Sequence, residues 1–160
     1  MVIVLIGVSA SGKTTVGKYL AQQLHWQFFD GDDFHSPVSI EKMRRGIPLT
    51  DADREPWLNT IRETICAAVD QGKNAVIACS ALKRAYRQIL QVDRQVVFVY
   101  LKADIVLIRE RSKNRAGHFM DPALVQSQFD ALEEPQGALE IEASLSPGEI
   151  VQLIRSRLSV

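Results

Sequence analysis

A short glycine-rich motif near the start of the chain has residue types and spacing that suit phosphate binding. The segment Gly7-Val8-Ser9-Ala10-Ser11-Gly12-Lys13-Thr14 matches the pattern G-x-x-x-x-G-K-[ST] at every fixed position. Glycines in such a loop let backbone N–H groups approach phosphate oxygens, and the following helix start adds partial positive charge. The lysine adds a full charge at the β- and γ-phosphates, and the threonine hydroxyl is a ligand for Mg²⁺. The motif predicts nucleotide binding by Gly7, Ser9, Ala10, Ser11, Gly12, Lys13, Thr14 and Thr15.

Two carboxylates follow the second apolar run of the sequence, in the tripeptide Asp30-Gly31-Asp32. Beside the phosphate loop, Asp30 would reach the metal directly or through water, and Asp32 would accept a substrate hydroxyl proton as general base. The same tripeptide is also ordinary turn chemistry. The phosphate motif favours the functional interpretation over the turn.

Two basic residues farther along the chain are candidates for binding an anionic substrate. Arg54 falls in the first turn of a predicted helix, where the helix dipole disfavours a cation. A substrate carboxylate would explain it, and pairing with Asp51 or Glu55 would explain it equally well. Lys83 either binds substrate or is a solvated lysine, and its local sequence alone favours the second. Cys79 is interpreted as a buried small hydrophobe rather than a nucleophile.

The densest basic cluster lies at Arg109, Arg111, Lys113 and Arg115, just before Gly117-His118-Phe119. Beside a phosphate loop, such a cluster predicts a mobile lid that brings arginine to the transferring phosphoryl group. A solvated helix face is the alternative. We expect one arginine of the cluster to be functional rather than all four basic residues.

The elements that position these residues are short apolar runs alternating with helical patterns. Strands are predicted at Val2–Ile6, Trp26–Asp30, Ala75–Cys79, Val96–Leu101, and from Leu139 to Ala143 or Leu145. Helical spacing follows Thr14 and recurs at about Ile40–Arg45, Asp51–Gln71, Lys83–Leu90, Asp104–Arg115, Pro122–Leu132 and Pro147–Leu158. Asp51 is the predicted N-cap of the long helix, and Gly72 its predicted stop. The alternation predicts an α/β fold, a parallel sheet with helices on both faces and ligands at the carboxyl ends of its strands.

Length and composition predict a single soluble domain over residues 1–160. The formal net charge of zero gives no bulk attraction to nucleic acid or anionic membrane. The first apolar run is too short to span a bilayer and lacks the features of an export signal. Two cysteines make neither a disulfide framework nor a metal cluster, and the histidines lack zinc-ligand spacing. We therefore expect a cytoplasmic protein without nucleic-acid or membrane partners.

Several segments, taken together and in order, resemble the gluconate kinases of the small P-loop type, the gluconokinases. The resemblance runs from residue 2 to about residue 135. The phosphate motif marks only a superfamily, whereas the Asp-Gly-Asp, Asp-Arg-x-Pro-Trp and Cys-Ser-Ala-Leu-Lys blocks are far more specific. The matching pieces are Gly7–Thr14, Asp30-Gly31-Asp32 with His35, Ile40–Met43, Gly46–Leu49, Asp53-Arg54 with Pro56-Trp57-Leu58, Cys79–Lys83 with Tyr86-Arg87, Tyr100-Leu101-Lys102, Arg115 with Gly117–Phe119, and Gln128-Phe129 with Leu132–Pro135.

This resemblance implies the P-loop kinase fold with central strand order 2-3-1-4-5, a mobile lid at about residues 111–125 and a substrate region at about residues 32–60. It implies ATP-dependent, Mg²⁺-assisted phosphorylation of D-gluconate to 6-phospho-D-gluconate in sugar-acid catabolism, often by a homodimer. Catalytic roles then fall to Lys13, Asp32 and Arg115. Nucleotide contact falls also to Arg111, and metal binding to Thr14 and Asp30. Substrate contacts fall to Asp32, His35, Arg54, Lys83 and His118.

One loop of this sequence differs from the gluconate kinase pattern, and alternative functions stay open. The loop Ala143-Ser144-Leu145-Ser146-Pro147 lacks the acidic residue that we expect on the adenine side. Shikimate or another small hydroxy acid is an alternative acceptor. A regulatory nucleotide-binding protein without phosphoryl transfer is an alternative class, which Asp32 and Arg54 disfavour. A nucleic-acid-directed P-loop protein is disfavoured by the zero net charge and the lack of a basic stripe.

Overall fold

A computed structural model describes residues 1–114 and 122–160, with a parallel sheet at its centre. Its strands are β1 (Val2–Ile6), β2 (Gln27–Asp30), β3 (Ala75–Ala78), β4 (Val96–Lys102) and β5 (Leu139–Glu142). They form one five-stranded sheet in the order β2-β3-β1-β4-β5, and every neighbouring pair is parallel. The predicted sheet and its strand order are confirmed.

Helices connect the strands and cover the sheet. They are α1 (Lys13–Leu24), α2 (Pro37–Arg44), α3 (Asp51–Asp70), α4 (Arg84–Leu90), α5 (Ile105–Asn114), α6 (Pro122–Ala131) and α7 (Pro147–Leu158), with a short 3-10 turn at Gly31–Phe34. Within the described ranges, no helix has the length and apolar character needed to cross a membrane.

The two faces of the sheet carry separate hydrophobic cores. Leu5 of β1 packs in one buried cluster with Leu20 of α1 and Ile154 of α7. Val4, the next residue back, faces the other way and packs in a second cluster with Ile61 of α3. Because both faces are covered, β1 is apolar at every position instead of alternating. The cores fix β1, and therefore the loop that follows it, from both sides.

The start of α3 differs from the prediction that Asp51 is its N-cap, which was wrong. Thr50 is the cap: its hydroxyl accepts the Asp53 N–H at 3.2 Å, and the Asp53 carboxylate accepts the Thr50 N–H at 2.9 Å. This reciprocal pair requires a carboxylate three residues after the cap, which only the Thr50 register supplies. The predicted stop is confirmed, since Gly72 follows the helix with a φ of +62°.

Other element boundaries differ by a few residues. Helix α2 begins at Pro37 rather than Ile40, because the Ser36 hydroxyl accepts the Ser39 N–H at 3.1 Å and caps the helix earlier. Helix α4 begins at Arg84, one residue later than predicted, with Lys83 as its flanking residue. The 3-10 turn at Gly31–Phe34 was not predicted.

Gly31 lets the end of β2 pass close to β3. A Cβ atom on Gly31 would lie 2.6 Å from the Ala78 carbonyl oxygen and 3.3 Å from Cδ1 of Ile61. Backbone cannot give way as a flexible side chain can, so any larger residue would push β2 and β3 apart. The glycine between Asp30 and Asp32 therefore holds both carboxylates at the edge of the sheet.

Gly31→Ala should destabilise the fold, because its new methyl group collides with the Ala78 backbone. Overpacking of this kind costs about 1–3 kcal/mol in the free energy of unfolding. Gly148→Ala is the matched control, since its Cβ would meet only Tyr19, at 4.0 Å. Urea unfolding of both variants measures the difference. Equal midpoints for the two variants would contradict the close approach.

Candidate active site

The phosphate loop joins β1 to α1 and requires both of its glycines. Gly7 has a φ of +141°, and a Cβ there would lie 2.8 Å from the Leu101 carbonyl oxygen. Gly12 has a φ of +103° and immediately precedes α1. No side chain in the described part of the chain caps α1, so its first N–H groups are available to an anion. This is the geometry that a phosphate-binding loop needs.

The lysine of the motif lies over its own loop. Lys13 Nζ donates a hydrogen bond to the Val8 carbonyl oxygen at 2.8 Å. This contact keeps the ammonium group within the curve of the loop, where a bound phosphate would also lie. The position fits the predicted role of Lys13 at the β- and γ-phosphates.

Thr14 and Asp30 meet beside the loop, as their predicted metal-binding roles require. The Thr14 hydroxyl donates to Oδ2 of Asp30 at 2.8 Å, and Oδ1 of Asp30 accepts the Asp32 N–H at 3.1 Å. Hydroxyl and carboxylate oxygens are the donors that Mg²⁺ prefers, with water and substrate phosphates completing its shell. The described residues hold no cluster of three or more His, Cys, Asp or Glu side chains that would form an all-protein metal cage. The pair therefore suits a metal that arrives with a nucleotide.

The turn after Asp30 carries the predicted general base and a histidine. Asp32 is exposed in the 3-10 turn, and its own N–H is tied to Asp30. His35 stacks on Trp57 with ring centres 4.6 Å apart and planes within 9°. Trp57 Nε1 in turn donates to the Gly31 carbonyl oxygen at 2.6 Å. The indole thus supports both ends of the turn, holding its backbone and packing against its histidine.

The surroundings of His35 favour the neutral form of its imidazole. Burial lowers the pKa of its imidazole, an effect that the Asp32 carboxylate opposes and the Arg54 charge reinforces. Its Nδ1 atom is buried and finds no hydrogen-bond partner among the described residues. A neutral imidazole with an unpartnered nitrogen can contact a substrate hydroxyl as donor or acceptor.

Arg54 projects into the same region without a carboxylate partner in the described chain. Its guanidinium carbon lies 5.9 Å from the centre of the Tyr86 ring, and its Nε donates to the Leu49 carbonyl oxygen at 3.4 Å. Asp51 and Glu55, the pairing partners considered from the sequence, do not form an ion pair with it. The geometry therefore favours an anionic ligand over a surface ion pair.

Lys83 pairs with Asp51 instead. Their side chains are 2.7 Å apart, and the Tyr86 hydroxyl also donates to Asp51. These two hydrogen bonds lower the pKa of the Asp51 carboxyl, and the Asp51 partner raises the pKa of Lys83. Like Arg54, Lys83 lies near the Tyr86 ring, with its Nζ atom 5.6 Å from the ring centre. A role for Lys83 in binding substrate stays a prediction.

Among the described members of the basic cluster, Arg111 reaches the phosphate loop. Its guanidinium donates to the carbonyl oxygens of Ala10 and Ser11 at 3.3 and 3.1 Å, and to Ala143 at 2.6 Å. It thereby borders a cavity of about 310 Å³ that is also lined by Ala10, Gly12, Thr15, Leu145 and Pro147. This cavity adjoins the loop on the side predicted for adenine.

The other basic residues of the cluster are either exposed to solvent or lie outside the described residues. Arg109 and Lys113 are exposed, as a solvated helix face would be. Arg115 and His118 lie outside the described residues, as does the whole of residues 115–121 within the predicted lid at about residues 111–125. Their assigned roles stay predictions.

Cys79 has no role as a nucleophile. It is fully buried, and that burial raises the pKa of its thiol to about 12. The charges of Lys13, Asp32 and Arg54 all act on this thiol. Residues from three separate segments therefore lie near enough to this thiol to influence its pKa.

The spacing of residues in the sequence does not predict one hydrogen bond of the site. Gln128 of α6 accepts the Ser9 N–H of the phosphate loop at 2.6 Å, across 119 residues of sequence. Gln128 belongs to a segment that carries the family resemblance, but the sequence analysis assigns no role to it.

The fold and the loop define the class: a P-loop kinase. Residues 2–135 match a family model described as an AAA domain. The chain is 46% identical over 134 residues to a thermosensitive gluconokinase of Escherichia coli strain K12, covering 83% of this chain and 72% of that protein. It is 41% identical over 169 residues to a gluconokinase of Arabidopsis thaliana, covering 96% and 89%. A solved gluconokinase structure from Sinorhizobium meliloti 1021 aligns with a TM-score of 0.88 at 39% identity, covering 98% of this chain and 90% of that one. The chain belongs to the gluconokinase family.

Proposed function

We propose that this chain transfers the γ-phosphoryl group of ATP to the terminal hydroxyl of D-gluconate, giving ADP and 6-phospho-D-gluconate. The observation that carries the proposal is the contact between the phosphate loop and the turn after β2. The Thr14 hydroxyl donates to Asp30 at 2.8 Å, and the same carboxylate accepts the Asp32 N–H at 3.1 Å, so Asp32 lies beside the loop that carries Lys13. A phosphate contact, a base and a carboxylate contact are the groups that phosphorylation of a hydroxy acid requires.

The nucleotide side of the site is formed by the loop and Arg111. The loop N–H groups and the start of α1 hold the phosphates, while the cavity beside Arg111 has room for a heterocyclic base. Thr14 and Asp30 would hold Mg²⁺, which when bound neutralises charge on the β- and γ-phosphates. Lys13 adds its charge at the same phosphates.

The acceptor side is formed by residues of the turn and of α3. Arg54 binds the gluconate carboxylate, because its planar guanidinium offers two parallel N–H donors to two carboxylate oxygens. His35 contacts a hydroxyl through its unpartnered imidazole nitrogen. Lys83 contributes a further polar contact when the substrate competes with Asp51 for it. His118 is assigned a similar contact from the sequence alone.

Asp32 is the base in this scheme. One of its carboxylate oxygens accepts the proton of the terminal hydroxyl as the hydroxyl oxygen forms its bond to the γ-phosphorus. The bond between the γ-phosphorus and the β,γ-bridging oxygen breaks, and ADP leaves. Lys13 stabilises the charge on the departing diphosphate, and Arg115 is assigned to the transferring group from the sequence. Cytoplasmic location, closure of the lid and homodimer formation likewise belong to the proposal.

An ADP-release assay over a panel of acceptors tests the reaction. The panel holds D-gluconate, its epimers, shikimate and nucleoside monophosphates. We expect ADP to form fastest with D-gluconate and the product to be a substrate for 6-phosphogluconate dehydrogenase. Lys13→Ala, prepared in the same way, controls for contaminating kinases and should be almost inactive. Faster turnover with shikimate or a nucleoside monophosphate would overturn the assignment of substrate.

Arg54→Lys should weaken gluconate binding while leaving ATP binding unchanged. Lysine keeps the charge but loses the two-pronged contact, and a charge-assisted hydrogen bond contributes about 1.5–3 kcal/mol. The KM for gluconate should therefore rise about tenfold to a hundredfold. Arg62→Lys, an exposed site on the same helix, is the matched control. An unchanged KM for gluconate with a raised KM for ATP would move Arg54 to the nucleotide side.

Asp30→Asn and Asp32→Asn should respond differently to Mg²⁺. Asn cannot accept the hydroxyl proton, so Asp32→Asn should lower kcat by up to about 10²–10⁴-fold at every Mg²⁺ concentration. Asp30→Asn removes a metal ligand, so high Mg²⁺ should restore part of its activity. Asp33→Asn, an exposed neighbour in the same turn, serves as the control.

Turnover of the three variants over a Mg²⁺ titration separates the roles. Rescue of Asp32→Asn but not of Asp30→Asn would show that the two roles are reversed. Full activity in both variants would mean that Asp30-Gly31-Asp32 is only a turn.

A further inference from the structure

Helix α6 makes a direct contact with the phosphate loop through a single side chain. Gln128 Oε1 accepts the N–H of Ser9, the third residue of the phosphate motif, at 2.6 Å. In the proposed function, N–H groups of this loop face the phosphates. The amide oxygen of Gln128 therefore holds one N–H of the loop in place, while the other loop N–H groups stay available to a phosphate.

The position of Gln128 is set by the acceptor side of the site. Beyond α6, Glu133 donates its N–H to the Leu82 carbonyl oxygen at 3.0 Å, and its side chain accepts the Arg84 N–H at 2.6 Å. The buried Arg87 donates to the carbonyl oxygens of Leu82 and Glu133, both at 2.8 Å. These bonds tie the end of α6 to the segment that carries Lys83.

Packing fixes α6 on its other side. Val125 is buried in the same core cluster as Leu5 of β1, and Phe129 packs against that cluster. Gln128 therefore projects from a helix that is held both by the core and by the segment after β3. The chain of α6 and the residues after it thus links the phosphate loop, through Gln128, to the segment that carries Lys83, through Glu133.

The chemistry of the side chain is specific. Glutamine offers a neutral oxygen that accepts the Ser9 N–H, and an NH₂ group that can donate to a phosphate oxygen. Glutamate would accept the same N–H, but its charge would repel the phosphates. Beside a loop that binds the negatively charged phosphates of ATP, a neutral acceptor such as the Gln128 amide oxygen is therefore more suitable than a carboxylate.

We propose that Gln128 is a positioning residue for phosphoryl transfer, which holds the backbone of the phosphate loop in place at Ser9 by accepting the Ser9 N–H. This inference rests on the proposed function. A small displacement of a contact to the reacting group is enough to cost about a hundredfold in rate. Loss of the Gln128 contact should therefore lower kcat and leave the KM for ATP and for gluconate nearly unchanged.

Three variants separate this role from a structural one. Gln128→Met keeps the length of the side chain but has no comparable acceptor, and Gln128→Glu keeps the acceptor but adds charge. Gln126→Met is the matched control, because Gln126 lies on the same helix and bonds only its neighbour Asp130, at 2.9 Å, among the described residues. Steady-state kinetics with ATP and gluconate, together with urea unfolding, are measured for all three.

We expect both Gln128 variants to lose at least about tenfold in kcat, with each KM within about threefold of the parent value and an unchanged urea midpoint. Gln126→Met should retain the parent kcat. A parent-like kcat in Gln128→Met, or a fall in kcat that merely follows a lowered urea midpoint, would overturn the proposal. A parent-like kcat in Gln128→Glu would overturn the requirement for a neutral side chain.

A second measurement keeps this test separate from the choice of substrate. If the parent protein fails to turn over gluconate, the proposed function fails, and the Ser9 amide resonance in ¹⁵N NMR spectra decides the question of Gln128. The resonance should move on addition of Mg²⁺ and ADP, and Gln128→Met should reduce that movement while Gln126→Met does not. Identical movement in the two variants would overturn the positioning role.

Discussion

Parallel pairing of β2, β3 and β1 is the constraint on which the site depends. Because the three strands run in the same direction, their carboxyl ends reach one edge of the sheet. The phosphate loop leaves β1 there, and the Asp30 turn leaves β2 there. The hydrogen bond between Thr14 and Asp30 spans the intervening β3, and it requires all three strands to be in register. The close passage of Gly31 against Ala78 is part of that arrangement, because a Cβ atom on Gly31 would lie 2.6 Å from the Ala78 carbonyl oxygen.

The positive charges that could attract an anionic ligand lie near the same edge of the sheet. The chain has a formal net charge of zero, so its attraction for anions must be local. Arg54 and Arg111 bond backbone carbonyl groups and form no ion pair within residues 1–114 and 122–160, whereas Lys83 is held by Asp51. Under the proposed function, a carboxylate ligand would bind Arg54 directly and would bind Lys83 only by competing with Asp51. We therefore propose distinct roles for Arg54 and Lys83, although both contact Tyr86.

The sequence predicted those parts of the molecule that depend on local pattern. The phosphate motif fixed Gly7 to Thr14, and the alternation of apolar runs and helices gave the parallel sheet. The N-cap of α3 was misplaced by one residue, because Thr50 and Asp51 are both good caps and only the partner at Asp53 distinguishes them. Contacts between segments that are distant in sequence could not be predicted from local patterns of this kind. The stacking of His35 on Trp57, the pairing of Lys83 with Asp51 and the bond between Ser9 and Gln128 depend on how helices pack, which residue spacing does not encode.

A crystal structure with D-gluconate, Mg²⁺ and a non-hydrolysable ATP analogue tests the central claim most directly. We expect the γ-phosphate in the loop, the gluconate carboxylate paired with both terminal nitrogens of Arg54, and the terminal hydroxyl within hydrogen-bond distance of Asp32. A gluconate bound the other way round, with its carboxylate beside Lys13 and a hydroxyl at Arg54, would contradict the arrangement of base and carboxylate contact derived from this fold.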